Sequence, residues 1–175
     1  MILESTRYPA LVRWVHWSSV LLVLLAYLTS EAAEELGDGG AGQWHVLAGL
    51  LLLVLFVPRL VGYALRRRGI PMPGPEGGHA ARIAAMTVHM ALLLFVVVEP
   101  LLGILAVWAE GSPVPVPFTP WSLPPLLTMG VGAGELLEEL HETVGNVFYA
   151  VIGVHVLASL WHHFVRRDAV LRRMA

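Results

Sequence analysis

Eight histidines stand in an otherwise apolar chain of 175 residues: His16, His45, His79, His89, His141, His155, His162 and His163. Four of them fall in one stretch, "LHETVGNVFYAVIGVHVLASLWHHFVRRD", at 140–168. Imidazole is expensive to hold in hydrocarbon, so several at matched depth point to a shared task. On a helix, His141 and His155 lie within about 40° of one face and about 21 Å apart along the axis. His162 follows roughly 10.5 Å further on, at or beyond the edge of a hydrocarbon layer about 30 Å thick. His45, at the start of another apolar run, is level with His141, and His16, one turn past Arg13, is near the level of His155. Two pairs result, His45 with His141 and His16 with His155. Facing neutral imidazoles with no cysteine beside them suit the two axial positions of a haem iron, and such a closed site moves electrons instead of binding gas. Gly49, Gly145 and Gly153 leave room for flat macrocycles near the backbone. Zinc or copper would normally recruit more than two protein ligands per site, and hydrogen-bonded packing of all four rings is the remaining alternative.

The elements that must position these rings are membrane helices. The chain is 57% hydrophobic and 14% charged, with a mean hydropathy of +0.70, whereas a soluble domain carries about 25% charged residues. Four windows, about 11–30, 44–65, 82–108 and 138–166, each approach the roughly 20 apolar residues a spanning helix needs. Each is too long for a strand, and lipid admits only helices or closed barrels. The expected fold class is therefore all-α, a single membrane four-helix bundle over 1–175. No cysteine is present, which excludes disulfides, thiolate-held clusters and covalent c-type haem.

All eleven basic residues are arginines. Arg7 and Arg13 precede the first helix, and Arg59, Arg66, Arg67, Arg68 and Arg82 flank the link between the second and third. Arg166, Arg167, Arg172 and Arg173 follow the fourth. With both termini and that link cytoplasmic, every arginine is inside, as the positive-inside rule expects. The opposite loops are acidic, with Glu31, Glu34, Glu35 and Asp38 in one and Glu110, Glu135, Glu138 and Glu139 in the other. A cleaved signal peptide over the first helix fits less well than this pattern. The segment "IPMPGPEGG", 70–78, is expected as an inner linker. The segment 112–134 holds half of the twelve prolines and cannot span. It is expected on the outer interface with Trp121 as an anchor, as a connecting loop or as a lid.

Other residues divide between functional and packing roles. Glu99, before Pro100, sits near the middle of the third helix. It is either a proton relay or haem partner, or a protonated acid bonded to the carbonyl that Pro100 frees. His89 is expected to pack or hydrogen-bond, His79 to be solvated on a loop. His162 and His163 either touch inner haem propionates, line a quinone headgroup site, or snorkel.

The stretches "RWVHWSSVLLVLLAYL", "WHVLAGLLLLVLFVPRLV" and "LHETVGNVFYAVIGVHVLASLWHHFVRRDAVLRRM", the last ending in HHF-x-x-x-D-x-x-L-R-R-M, resemble the bacterial cytochrome b561 family over nearly the whole chain. The resemblance implies a four-helix membrane bundle with two haem b groups. It carries the axial iron ligands onto His16, His45, His141 and His155, paired as above, and leaves His89 without iron. It also implies an oxidoreductase. One type of member is similar to a superoxide oxidase, passing electrons from superoxide outside the membrane to ubiquinone. Other members exchange electrons between quinone and a partner such as a hydrogenase or a periplasmic redox protein. The expected partners are thus membrane lipid, quinone, and superoxide or a redox protein, with no nucleic acid and no oligomeric state fixed by the sequence. The acidic outer loops would repel superoxide at long range and suit a basic partner.

Overall fold

A computed structural model describes residues 7–30, 40–69, 78–168 and 170–174, with the side chains of 63–69 left aside. The acidic stretch of Glu31, Glu34, Glu35 and Asp38, most of the 70–78 linker and the side chains of Arg66, Arg67 and Arg68 lie outside the described residues.

Four long helices carry the chain: α1 Ala10–Leu28, α2 Ala41–Gly69, α3 Gly78–Ala109 and α4 Val131–Trp161. All four are long and apolar enough to cross a membrane. The shortest, α1 with 19 residues, is about 28 Å long, close to the thickness of the hydrocarbon layer. Three helices outrun their expected windows: α2 and α3 extend past both ends of theirs, and α4 starts at Val131, not near 138. A helix satisfies its own backbone, so it continues past the apolar segment wherever water can take Glu135, Glu138 and Glu139. His79, expected on a loop, lies in the first turn of α3.

Successive helices run antiparallel. A Cβ on Gly62 of α2 would meet Val12 of α1 at 3.1 Å, and one on Gly49 of α2 would meet Pro100 of α3 at 3.6 Å. A Cβ on Gly134 of α4 would meet Glu110 of α3 at 2.6 Å. Small residues let apolar helices approach where no hydrophobic force drives them together. α1 packs along α2, α3 along α4 and α2 against α3, whereas neither α1 nor α2 packs closely along α4. A cleft therefore runs between the α1–α2 pair and α4. At mid-depth it is closed by Leu52, Phe95 and Val96, with Phe95 stacked on Phe148 at 4.1 Å. Hydroxyls in the helices are satisfied within their own turns: Ser19 donates to the Val15 carbonyl, Thr29 to Leu25 and Ser159 to His155. Many large apolar side chains face outward, including Leu21, Leu24, Val54 and Leu157, a distribution suited to lipid and not to water.

The proline-rich segment forms a short antiparallel hairpin, β1 Val114–Pro115 with β2 Ser122–Leu123. Phe118 at its tip takes φ 62°, which a non-glycine residue rarely adopts. Its ring packs on Trp44 at 4.7 Å and its N–H donates to Gln43. Gly130, at φ 102°, turns the chain from this segment into α4. At the other end of the bundle α4 loosens into a π-helical turn, His162–Arg166, closed by Arg167 in the left-handed region. The tail then folds back on α1: the Tyr8 N–H donates to the Arg173 carbonyl at 3.0 Å and the Trp17 indole to that of Met174 at 2.8 Å.

Candidate functional site

The up-and-down order of the helices fixes the level of each histidine. His45, in the first turn of α2, lies beside the end of α1, and its Nδ1 is 2.9 Å from the Ala26 carbonyl. His141, near the start of α4, lies beside the second half of α3, with Nδ1 3.0 Å from the Glu99 carbonyl. Both carbonyls accept, so each ring carries its proton on Nδ1 and keeps Nε2 as a bare donor atom. The two ring centres are 5.9 Å apart with planes at 86°.

At the other end of α4, His155 faces His16 of α1 at 6.4 Å, planes at 66°. His89 of α3 also lies against His155, at 5.4 Å, its Nδ1 bonded to the Ala85 carbonyl one turn back. The 14-residue spacing of His141 and His155 separates the two pairs by about 21 Å along α4. The Phe95–Phe148 stack lies between them.

Two imidazoles bound on opposite sides of one metal, with bonds of about 2 Å and ring centres about 1.1 Å behind each nitrogen, have centres about 6.2 Å apart. Both pairs are close to that spacing. No group of three or more metal-ligating side chains that could hold a metal ion occurs among the described residues. Two histidines alone suit an iron whose other four positions a porphyrin fills.

A cavity of about 580 Å³ opens around the His45–His141 pair, within the range of about 300–1,000 Å³ typical of cofactor and ligand sites. Its walls combine apolar side chains with Gly49, Gly103 and Gly145. A Cβ on Gly103 would lie 3.4 Å from His141 Cε1, and one on Gly145 3.0 Å from Glu99 Oε1. Of the three glycines expected to make room, Gly49 and Gly145 line this cavity, while Gly153 faces open space. Gly103 was missed, because its role depends on how α3 meets α4. Val114 and Pro115 of the hairpin also line the cavity, so the hairpin forms part of its wall. Tyr27 ties α1 to α4 across the cleft, its hydroxyl donating to the Gly145 carbonyl at 2.8 Å.

Glu99 belongs to this site. One carboxyl oxygen is 3.3 Å from His141 Nδ1, and the other is buried with no hydrogen-bond partner among the described residues. Among the described residues it makes no hydrogen bond to the carbonyl freed by Pro100.

At the arginine-rich end, His162 is engaged by Asp168, which also accepts from the Val170 N–H. Burial alone would raise the Asp168 carboxyl, but bonds from His162 and Val170 and nearby Arg166 outweigh it and hold the group below its ordinary 3.8. This pairing closes the end of α4. Arg173 is different: its Nε and Nη1 are buried without a partner among the described residues.

The family model for prokaryotic cytochrome b561 matches residues 7–175. This chain belongs to that family. It is a multi-pass membrane electron-transfer protein of the kind that carries b-type haem. Its relatives span nearly its full length. Cytochrome b561 homolog 1 of Escherichia coli is 28% identical over 166 residues, covering 92% of this chain and 92% of that protein. Probable superoxide oxidase CybB of Yersinia pestis is 27% identical over 180 residues, 96% and 95% covered. Cytochrome b562 of Cereibacter sphaeroides is 28% identical over 180 residues, 98% and 96% covered.

Proposed function

We propose that the chain, acting as one unit, holds two b-type haems in the bacterial cytoplasmic membrane and passes electrons from an outer donor, superoxide, to membrane quinone. His45 and His141 would hold the outer haem, and His16 and His155 the inner one. The observation that carries this reading is the facing of two imidazole pairs at 5.9 and 6.4 Å on opposite halves of one helix. Bound haem supplies reversible one-electron transfer, which each closed bis-histidine site keeps free of competing gas binding.

The chain's own residues complete the sites. Ala26 and Glu99 carbonyls fix the tautomers of the outer ligands. The hairpin limits water at the outer haem, and the Phe95–Phe148 layer keeps the space between the haems apolar. Arg173, whose Nε and Nη1 are buried without a partner among the described residues, is suited to a carboxylate of the inner haem. Arginines gathered at that end support cytoplasmic termini. In the net reaction two superoxide anions lose one electron each, giving two dioxygen molecules, and one quinone gains two electrons and two protons to become quinol. The relative named as a probable superoxide oxidase supports superoxide as donor.

A specific observation favours a second reading. The described outer ends of α3 and α4 carry Glu110, Glu135, Glu138, Glu139 and Glu142 with no arginine, a surface better matched to a basic redox protein than to an anion. Mixing oxidised purified protein with superoxide and a quinone analogue tests the two. Rapid haem reduction with one quinol per two superoxide supports the first. Reduction only in the presence of a co-purifying redox protein overturns it in favour of the second.

A further inference from the structure

We propose that Glu99 is a positioning residue for His141 and that it sets the outer haem at the lower potential of the two. This deepens the reading above and rests on His45 and His141 being the outer ligands.

His141 Nδ1 faces two oxygens of the same residue, the Glu99 carbonyl at 3.0 Å and Oε1 at 3.3 Å. Both side chains are largely buried, with 23% of His141 and 13% of Glu99 exposed. Hydrogen bonds and dipoles act strongly in such surroundings. The arrangement is built by two missing side chains. Gly145 leaves space for the carboxyl group, since a Cβ there would stand 3.0 Å from Oε1, and Gly103 leaves space for the ring. Glu99 Oε2 has no partner among the described residues, so the side chain is held there by its approach to the ring and by packing.

A histidine that donates its second N–H to an oxygen is a more basic ligand, and a carboxyl oxygen adds to the effect of a carbonyl. More basic ligands stabilise ferric over ferrous iron and lower the potential. The inner pair lacks this support: the rings of His16 and His155 make no hydrogen bond among the described residues. His89 touches His155 only through ring contact and is bonded to its own helix. The two sites are therefore tuned unequally, the outer low and the inner high, so an electron entering at the outer face runs downhill toward the arginine-rich end.

The test is potentiometric titration of purified protein, with haem counted as the pyridine haemochrome and the outer component assigned as the one missing in His141→Ala. Glu99→Leu removes both side-chain oxygens and keeps the backbone carbonyl. It is expected to favour reduction of the outer haem by about tenfold, a rise of about 59 mV, and to leave the inner haem unmoved. Glu99→Gln keeps an oxygen that can accept and is expected to move the same potential less. A packing role alone would alter haem content or melting without moving a potential. If Glu99→Leu keeps two haems and the outer potential stays put, the proposal falls while the ligand reading stands. If Glu99→Leu loses the outer haem, an unshifted potential in Glu99→Gln overturns it. Wild-type protein that binds no haem would sink the ligand reading itself.

Discussion

Replacing His141 by alanine is the sharpest probe of the outer site. The change removes one of two donor atoms, leaving His45 anchored to the Ala26 carbonyl but facing empty space across a 5.9 Å gap between ring centres. Loss of a group that only supports a metal ligand typically costs 10–100-fold in affinity, so loss of the ligand itself costs at least about 100-fold. The inner pair lies about 21 Å away along α4, well beyond the distance at which substitutions couple. Haem content is therefore expected to fall from two to one per chain, with the remaining haem keeping its low-spin spectrum and its potential. The cavity, already about 580 Å³, gains the volume of the lost ring, so added imidazole is expected to restore the second low-spin haem when haem is supplied. The assay is haemochrome stoichiometry with optical and electron paramagnetic resonance spectra. A His141→Ala protein that retains two bis-histidine spectra without added imidazole would refute the pairing.

Conversely, His16→Ala is expected to lose the inner haem alone, read by the same stoichiometry with the outer spectrum unchanged. Gly103→Val places carbons beyond a Cβ that already lies 3.4 Å from His141 Cε1, so it is expected to displace the ring and lower outer haem content while inner haem is retained. Tyr27→Phe breaks the bridge from α1 to the Gly145 carbonyl and is expected to cost about 0.6–1.7 kcal/mol, measured as a lower melting temperature in detergent. Asp168 is held below its ordinary value, so the stability it contributes is present above that value and fades as pH falls through the lower folded one. Thermal unfolding scanned downward from pH 6 is expected to show that loss in wild type and a flatter profile in Asp168→Asn. The difference is expected to stay under about 1 kcal/mol because such interfacial pairs are well solvated.

The solvent, the number of spans and the level of each ring along its helix are legible in the residues alone. Length, apolarity and the arginine asymmetry dictate four antiparallel helices, because lipid tolerates no unpaired backbone and the chain has too few charges for water. Once the helices alternate in direction, the 14-residue spacing of His141 and His155 sets two depths, and His45 and His16 can only fall at those depths. Rise per residue is a local property, so it is legible in one dimension. What surrounds each ring comes from the packing of the helices. That Glu99 reaches His141, that Gly103 leaves room for the ring, that His89 flanks His155 and that the prolines of 112–134 fold into a hairpin at the cavity wall all depend on how helices turn and lean against one another. Rotation about a helix axis is set by side-chain contacts with partners distant in the chain, and in a helix apolar on nearly every face the pattern of residues gives no stripe to orient it.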